Sequence, residues 1–362
     1  MKRTTRRILF YVLALGFTVM GPLAVLSSLG YTFHPGTATF EITGGIFIKS
    51  GTPRASVFLD GGFVRETGFI IGSTLLTDVS PGTHRVRLEK PDYRPWVKTV
   101  AVDSGAVREF RDVFLIPHLH GIATSTSAEL AAARATTTPA HAVTRDTKGR
   151  LLIAENGAKR LIAENVHSFG ETPDAVFFIE QNGFLARYDA ATREITTIDR
   201  PGFFLDRGPA RFVDGGNFLA VIDSSGGLFL YDRAAGTVRP AASGAKDAVF
   251  DADEEKLLIV KEQEIAVFWL ADNDRQPFQK KGVVETVVRE ADPIKQAGWH
   301  AATDAHIVYR TRAGVFIAEI DTRGGGNVYE LVAGPVDDLI TSPLAPNAIF
   351  YRTGKTIYKI EL

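Results

Sequence analysis

A strand–tight turn–strand unit recurs five times over the C-terminal two-thirds of the chain, and this recurrence limits the fold more than any other feature. Ala175–Glu180 is set to pair with Phe184–Asp189 across Gln181-Asn182-Gly183, and Phe218–Asp223 with Leu228–Asp232 across Ser224–Gly227. Lys256–Lys261 faces Ile265–Leu270, His306–Arg310 faces Val315–Ile320 across a loop containing Gly314, and Ala348–Tyr351 faces Thr356–Leu362 across Gly354-Lys355. The turns fall near residues 182, 225, 263, 312 and 354, at spacings of 43, 38, 49 and 42. Apolar runs bounded by Gly, Asn and Asp turns at such regular intervals predict an all-β architecture.

A period of about 40–45 residues with four strands per repeat is the pattern of a β-propeller blade. The outer strands are expected at Glu194–Asp199, Thr237–Ala241, Val283–Val288 and Asn327–Ala333. Inner strands of the succeeding blades are expected at Ala210–Val213, Asp247–Phe250, Pro293–Ala297 and Asp337–Thr341. The last blade runs out after three strands at Leu362, and Arg150–Glu155 is a spare strand able to close the ring. That assignment gives five blades. A six-bladed ring with Val143–Val166 as a degenerate blade is the alternative, and an open array of β-sandwiches is the third. By resemblance the segment is similar to the WD-repeat and TolB-like propeller group, which implies a fold and no activity. It lacks the Trp-Asp dipeptide, the sialidase Asp-box and the tryptophan docking motif of quinoproteins.

At the other end, Lys2, Arg3, Arg6 and Arg7 precede an uncharged run from Ile8 to Leu29. As a helix those residues span about 33 Å, enough for a hydrocarbon core of about 30 Å. No charge follows until Glu41, so the basic flank places the N-terminus in the cytoplasm and the remainder outside. Gly21-Pro22 is a kink a bilayer span tolerates. The rival reading is a cleaved secretory signal. Its core would be shorter, and the best cleavage site, Ser28-Leu29-Gly30, is poor.

Between these segments, Thr39–Thr43, Gly45–Lys49, Ala55–Leu59, His84–Leu88 and Val97–Val102 alternate apolar and polar residues as short strands. Asp60-Gly61-Gly62 and Ser80-Pro81-Gly82 supply turns. The runs Ser56–Gly61, Ser80–Val86 and Lys90-Pro91-Asp92-Tyr93-Arg94-Pro95-Trp96 resemble the PEGA domain over about Gly45 to Pro117. Asp92 stands where that family usually has Gly, and Gly72-Ser73-Thr74 where Gly-Thr-Pro is common. The resemblance implies a non-catalytic, surface-exposed β-sandwich of envelope proteins. Tyr93 and Trp96 are either a sugar-stacking pair or packing residues.

The expected organisation is therefore a basic tail at 1–7, a span at 8–30, a sandwich at 38–117, a linker at 118–142 and a propeller at 143–362. Fifteen of the twenty residues from Ala123 to Ala142 are Ala, Ser or Thr, a composition that buries no core, although Glu129–Ala135 suits one or two helical turns. His118, His120 and His141 flank the linker with no carboxylate at supporting spacing, so no metal site is expected.

The charges nearly cancel, 41 Lys+Arg against 42 Asp+Glu, which offers no footprint for nucleic acid. The absence of cysteine excludes disulfides, thiolate metal sites, a cysteine nucleophile and a lipoprotein anchor. No phosphate-binding, nucleophile-elbow or zinc-protease motif occurs in a fitting context, and no cofactor is expected. Asp251-Ala-Asp253-Glu254-Glu255 lacks the Gly and distal Glu of a calcium loop and reads as a solvated acidic turn.

Asp337-Asp338 and Trp299-His300 are expected near a channel mouth, where they become the candidate ligand residues. These readings point to a membrane-anchored extracytoplasmic binding or scaffold protein whose partners are the bilayer, through residues 8–30, and an envelope protein or glycan. The alternative is an exported hydrolase or lyase with Asp337, Asp338, His300 and Arg211 converging in the channel.

Overall fold

The computed structural model describes residues 3–28, 30–34, 39–119, 121–134, 142–155, 157–199 and 208–362. Just over half of the described residues, 51%, are in strands, and the described residues hold two helices. Two compact units emerge. The first takes Met1–Leu119 together with Arg275–Pro277 and Thr322–Asn327, and the second takes the rest.

The first unit opens with helix α1, Arg3–Ser28, which runs unbroken through Pro22. It is long and apolar enough to cross a membrane, and none of its apolar window is buried by protein. Lys2 lies outside the described residues; Arg3, Arg6 and Arg7 fall in the first turns of the helix. A hairpin follows, β1 (Tyr31–His34) paired antiparallel with β2 (Thr39–Ile42).

The sandwich comes next, built from β3 (Gly44–Ser50), β4 (Ser56–Leu59), β5 (Gly62–Glu66), β6 (Ser73–Val79), β7 (Gly82–Glu89), β8 (Trp96–Val102) and β9 (Val107–Val113). One sheet has the order β6-β3-β9 and the other β5-β4-β7-β8. The alternation that marks these strands in sequence sends Ile46, Ile48, Val57, Leu76, Val86, Leu88, Val100 and Phe110 into one core between the sheets. Gly72 is at φ +65°, and a Cβ there would meet the Ser50 carbonyl at 2.2 Å, so this turn accepts only glycine without strain. Along the edge strand β8 of this unit, Thr99 N donates to Gly324 O (3.0 Å) and the buried Lys98 ammonium donates to Gly325 O (2.7 Å).

The second unit begins with β10 (Ile122–Thr124) and helix α2 (Ser127–Arg134). A reciprocal cap starts that helix: Glu129 N donates to Thr126 Oγ1 (3.1 Å) and Thr126 N to Glu129 Oε2 (2.9 Å). Six antiparallel sheets follow in chain order. The first has three strands, β11 (Val143–Arg145), β12 (Leu151–Glu155) and β13 (Ala158–Ala163). The next four are four-stranded meanders. They comprise β14 (Val166–Glu171), β15 (Ala175–Glu180), β16 (Leu185–Asp189) and β17 (Ile195–Asp199); then β18 (Arg211–Asp214), β19 (Phe218–Ile222), β20 (Leu228–Asp232) and β21 (Thr237–Ala242). After them come β22 (Asp247–Phe250), β23 (Lys256–Val260), β24 (Glu264–Trp269) and β25 (Val284–Arg289); then β26 (Gln296–Trp299), β27 (His306–Arg310), β28 (Gly314–Glu319) and β29 (Val328–Ala333). The sixth sheet joins β30 (Asp338–Thr341), β31 (Ala348–Thr353) and β32 (Thr356–Glu361) to β10, which pairs antiparallel with β32 on the outside.

Two features differ from the sequence expectation. Residues 151–155 do not complete the last sheet; they form the centre of the first one. The strand that completes the last sheet is Ile122–Thr124, from the Ala/Ser/Thr-rich segment, where small and polar side chains give no alternating signal yet backbone pairing needs none. Beyond it, His120 and His141 lie outside the described residues.

Successive sheets bury each other face to face. Val176, Phe178 and Tyr188 pack on Leu151 and Ile153, Phe177 packs with Leu219, Val221 and Tyr231, and Leu257 and Phe268 pack with Leu228 and Leu230. The second strand of each meander is therefore apolar on both faces, as in Val176-Phe177-Phe178-Ile179. Glycines let the first strands approach closely. A Cβ at Gly170 would strike Phe212 at 2.4 Å, one at Gly215 would strike Phe250 at 2.6 Å, and one at Gly298 would strike Thr341 at 2.3 Å.

Candidate functional site

The first strands of four successive sheets end around one cleft of about 350 Å³. Asp214 closes β18, Phe250 closes β22, Trp299 closes β26 and Thr341 closes β30; each is followed by a turn whose residues complete the walls. Four acidic residues, Asp214, Asp251, Glu254 and Asp304, contribute to the lining of the cleft together with Thr341 and Ser342.

Its walls are held from behind. The Trp299 indole N–H donates to Val249 O (2.9 Å), which fixes the ring. Asp251 is buried, and its carboxylate meets the Lys256 ammonium at 2.7 Å while also accepting Lys256 N (2.9 Å). The same ammonium lies 5.8 Å from the ring centroids of both Trp269 and Trp299, within cation–π range. Asp214 pairs with Arg233 at 2.6 Å, and Glu254 accepts Asn217 N at 2.7 Å.

Asp304 is placed differently. Its Oδ1 is closed off from solvent and accepts no hydrogen bond among the described residues. Burial pushes its carboxyl above the usual range; Lys256 pulls it down, and Asp251, Asp253 and Glu255 push it up.

Among the candidate ligand residues read from sequence, Trp299 is in this cleft and the others are elsewhere, while the acidic turn read as solvated contributes Asp251 and Glu254 to it. His300 follows it but is buried, with Nδ1 3.2 Å from Thr303 Oγ1, and burial lowers its pKa to about 4. Asp337 and Asp338 sit at the start of β30, the opposite end from Thr341. Asp338 Oδ1 accepts Gln296 Nε2 (2.9 Å), and Asp337 Oδ2 accepts Gly354 N (2.7 Å). Arg211 starts β18 and pairs with Asp247 at 3.1 Å, at the corresponding strand end. The paired acids and Trp299-His300 thus occupy opposite ends of first strands rather than one mouth, because Asp337-Asp338 opens β30 whereas Trp299 closes β26.

In the first unit, Trp96 is 1% exposed and stacks edge-on against Phe110 (5.3 Å), so its ring faces the core. Tyr93 is half-buried on that core beneath the Lys90 ammonium, 5.3 Å from its centroid. Neither Asp251 nor Asp304 was expected in a site. The signal for Asp251 is Lys256, a lone cation opening an otherwise apolar strand directly after the acidic turn. Among the described residues no group of three His, Asp or Glu side chains is arranged to hold a metal ion.

Residues 43–114 match the PEGA domain. No curated protein sequence matches the chain. Among solved structures, YCF48 bound to a D1 peptide is similar at 10% identity and a TM-score of 0.39, over 62% of this chain and 75% of that one. PorZ, a bacterial surface component of the type-IX secretion system of Porphyromonas gingivalis, is similar at 16% identity and a TM-score of 0.37, over 59% of this chain and 31% of its own. The extracellular domain of BT4673 from B. thetaiotaomicron is similar at 12% identity and a TM-score of 0.38, over 77% of this chain and 36% of its own.

Proposed function

We propose that this chain is a membrane-anchored extracytoplasmic binding or scaffold protein of the cell envelope. The observation that carries the reading is α1, an apolar helix of 26 residues with no protein packed over its apolar window. Left in water it would expose Ile8, Phe10, Leu13, Leu15, Phe17 and Met20, each at least 60% accessible. A bilayer is the solvent that suits such a surface. The basic residues before it and the uncharged stretch after it orient the chain with its N-terminus in the cytoplasm. The PEGA match agrees with placement outside.

The six sheets form a six-bladed propeller in this account, with β10 supplying the outermost strand of the last blade so that the N-terminal and C-terminal ends of the ring are joined. The acidic, aromatic-walled cleft is its recognition surface, suited to a cationic group on an envelope partner or to the hydroxyls of a glycan. The four residues of the hydrolase alternative do not converge on one cavity: Asp337, Asp338 and Arg211 lie at one set of strand ends, and His300 is buried beside the other.

Fractionation tests the anchor. The full chain should stay in the membrane pellet through alkaline carbonate and keep its N-terminal residues. A soluble protein whose N-terminus begins near Tyr31 would show instead that the helix is a cleaved signal.

A further inference from the structure

Among the described residues the hairpin β1–β2 is a two-stranded sheet with no third strand beside it, an arrangement only marginally stable in water. Phe33 and Phe40 face each other across it, ring centroids 5.1 Å apart, and both stay about half exposed, at 47% and 44%. Ile42 adds further exposed apolar surface. The strands carry no charge from Tyr31 to Phe40, the first acid being Glu41.

Position decides what covers this surface. The helix ends at Ser28, and Gly30 N donates back to Ser27 O (3.0 Å). Gly30 O then accepts both Thr43 N (2.9 Å) and Thr43 Oγ1 (3.0 Å). The two feet of the hairpin are therefore joined where the helix ends and the sandwich begins, leaving no slack to carry the aromatic pair away from the point of exit. Tyr31, at the foot of the hairpin, is of the amphipathic aromatic type enriched at the membrane–water boundary, and Phe is among the apolar residues that interfacial segments bury between headgroups and acyl chains.

We infer that the β1–β2 hairpin lies in the outer interface of the bilayer, with Phe33 and Phe40 covered by lipid, so that it fixes the sandwich against the membrane surface. This rests on α1 being a membrane span. A partner protein or a second copy of the chain would cover the same rings differently, and the test separates them.

The native absence of cysteine allows a single Phe40→Cys label on the full chain, with Phe33→Cys as an independent second position and Lys355→Cys, on an exposed turn of the second unit, as a reference. An environment-sensitive fluorophore is attached, and the chain is reconstituted into vesicles of equal parts phosphatidylcholine and phosphatidylglycerol. The expected result is flotation with the vesicles, blue-shifted emission at 40 and 33, and quenching there by lipids bearing a shallow nitroxide, with neither effect at 355. Flotation with water-like, unquenched emission at 40 and 33 overturns the inference while the span stands. Disulfide-linked dimers of the unlabelled Phe40→Cys chain, without lipid quenching of the labelled one, also overturn it, in favour of a second copy. Failure to float overturns the span, and the inference with it.

Discussion

Burial fixes His300 as a neutral imidazole: 1% exposed and titrating near 4 rather than 6.5, it cannot carry charge in the folded state at neutral pH. The unfolded chain binds a proton there first, so the stability this residue contributes is complete above pH 6.5 and is lost as pH falls from 6.5 towards 4. The loss is on the order of 3 kcal/mol over that window. Urea unfolding at pH 7 and at pH 4.5 should show a smaller difference between the two pH values for His300→Gln than for the natural chain. Equal differences would mean that the ring is accessible to protons in the folded state.

The same residue shows where sequence reasoning stops. Trp299-His300 was legible as a pair at a strand end, but its burial was not, since it depends on packing such as the Trp299 indole bond to Val249 O, 50 positions away. Asp251 is a parallel case: its neighbours Asp253 and Glu255 are exposed as an acidic turn should be, while Asp251 turns inward to Lys256. Removing only the Lys256 charge would leave that carboxylate uncompensated in the interior.

At the level of elements, the strand–turn–strand recurrence read from sequence reappears as the second and third strands of the meanders, because those strands are apolar on both faces and bounded by Gly and Asn turns. The first strands are short and shaped by glycine contacts such as Gly170 with Phe212; β22 falls at the expected Asp247–Phe250, β18 and β30 lie within one residue of expectation, and β26 departs, at Gln296–Trp299 against the expected 293–297. Least legible was β10, whose Ile-Ala-Thr sequence pairs through its backbone alone. Ser125 N donates to Ile357 O, and the alternation of antiparallel pairs makes Ala123 and Lys359 the next hydrogen-bonded pair. Ala123→Pro removes that donor and should cost on the order of 2 kcal/mol. A lowered melting temperature with increased light scattering is the expected outcome, since the substitution uncovers the edge of β32. An unchanged melt would show that β10 is dispensable to the last sheet.

For the whole molecule, one apolar helix, a PEGA-matching sandwich and an array of six sheets with an acidic cleft make sense together if the helix tethers the folded units outside the cytoplasm, where tethering raises the local concentration of a recognition surface. The apolar helix and the sandwich were legible because length, composition and turn chemistry act locally. The cleft was not, since it gathers residues from four sheets.

Sidedness tests this account most directly. Lys355→Cys in the second unit and Thr4→Cys before the apolar run each give the cysteine-free chain a single thiol, to be probed with a membrane-impermeant maleimide on intact spheroplasts. The account predicts labelling at 355 without lysis and at 4 only after lysis. Labelling at 355 only after lysis would place the sheets in the cytoplasm and contradict it.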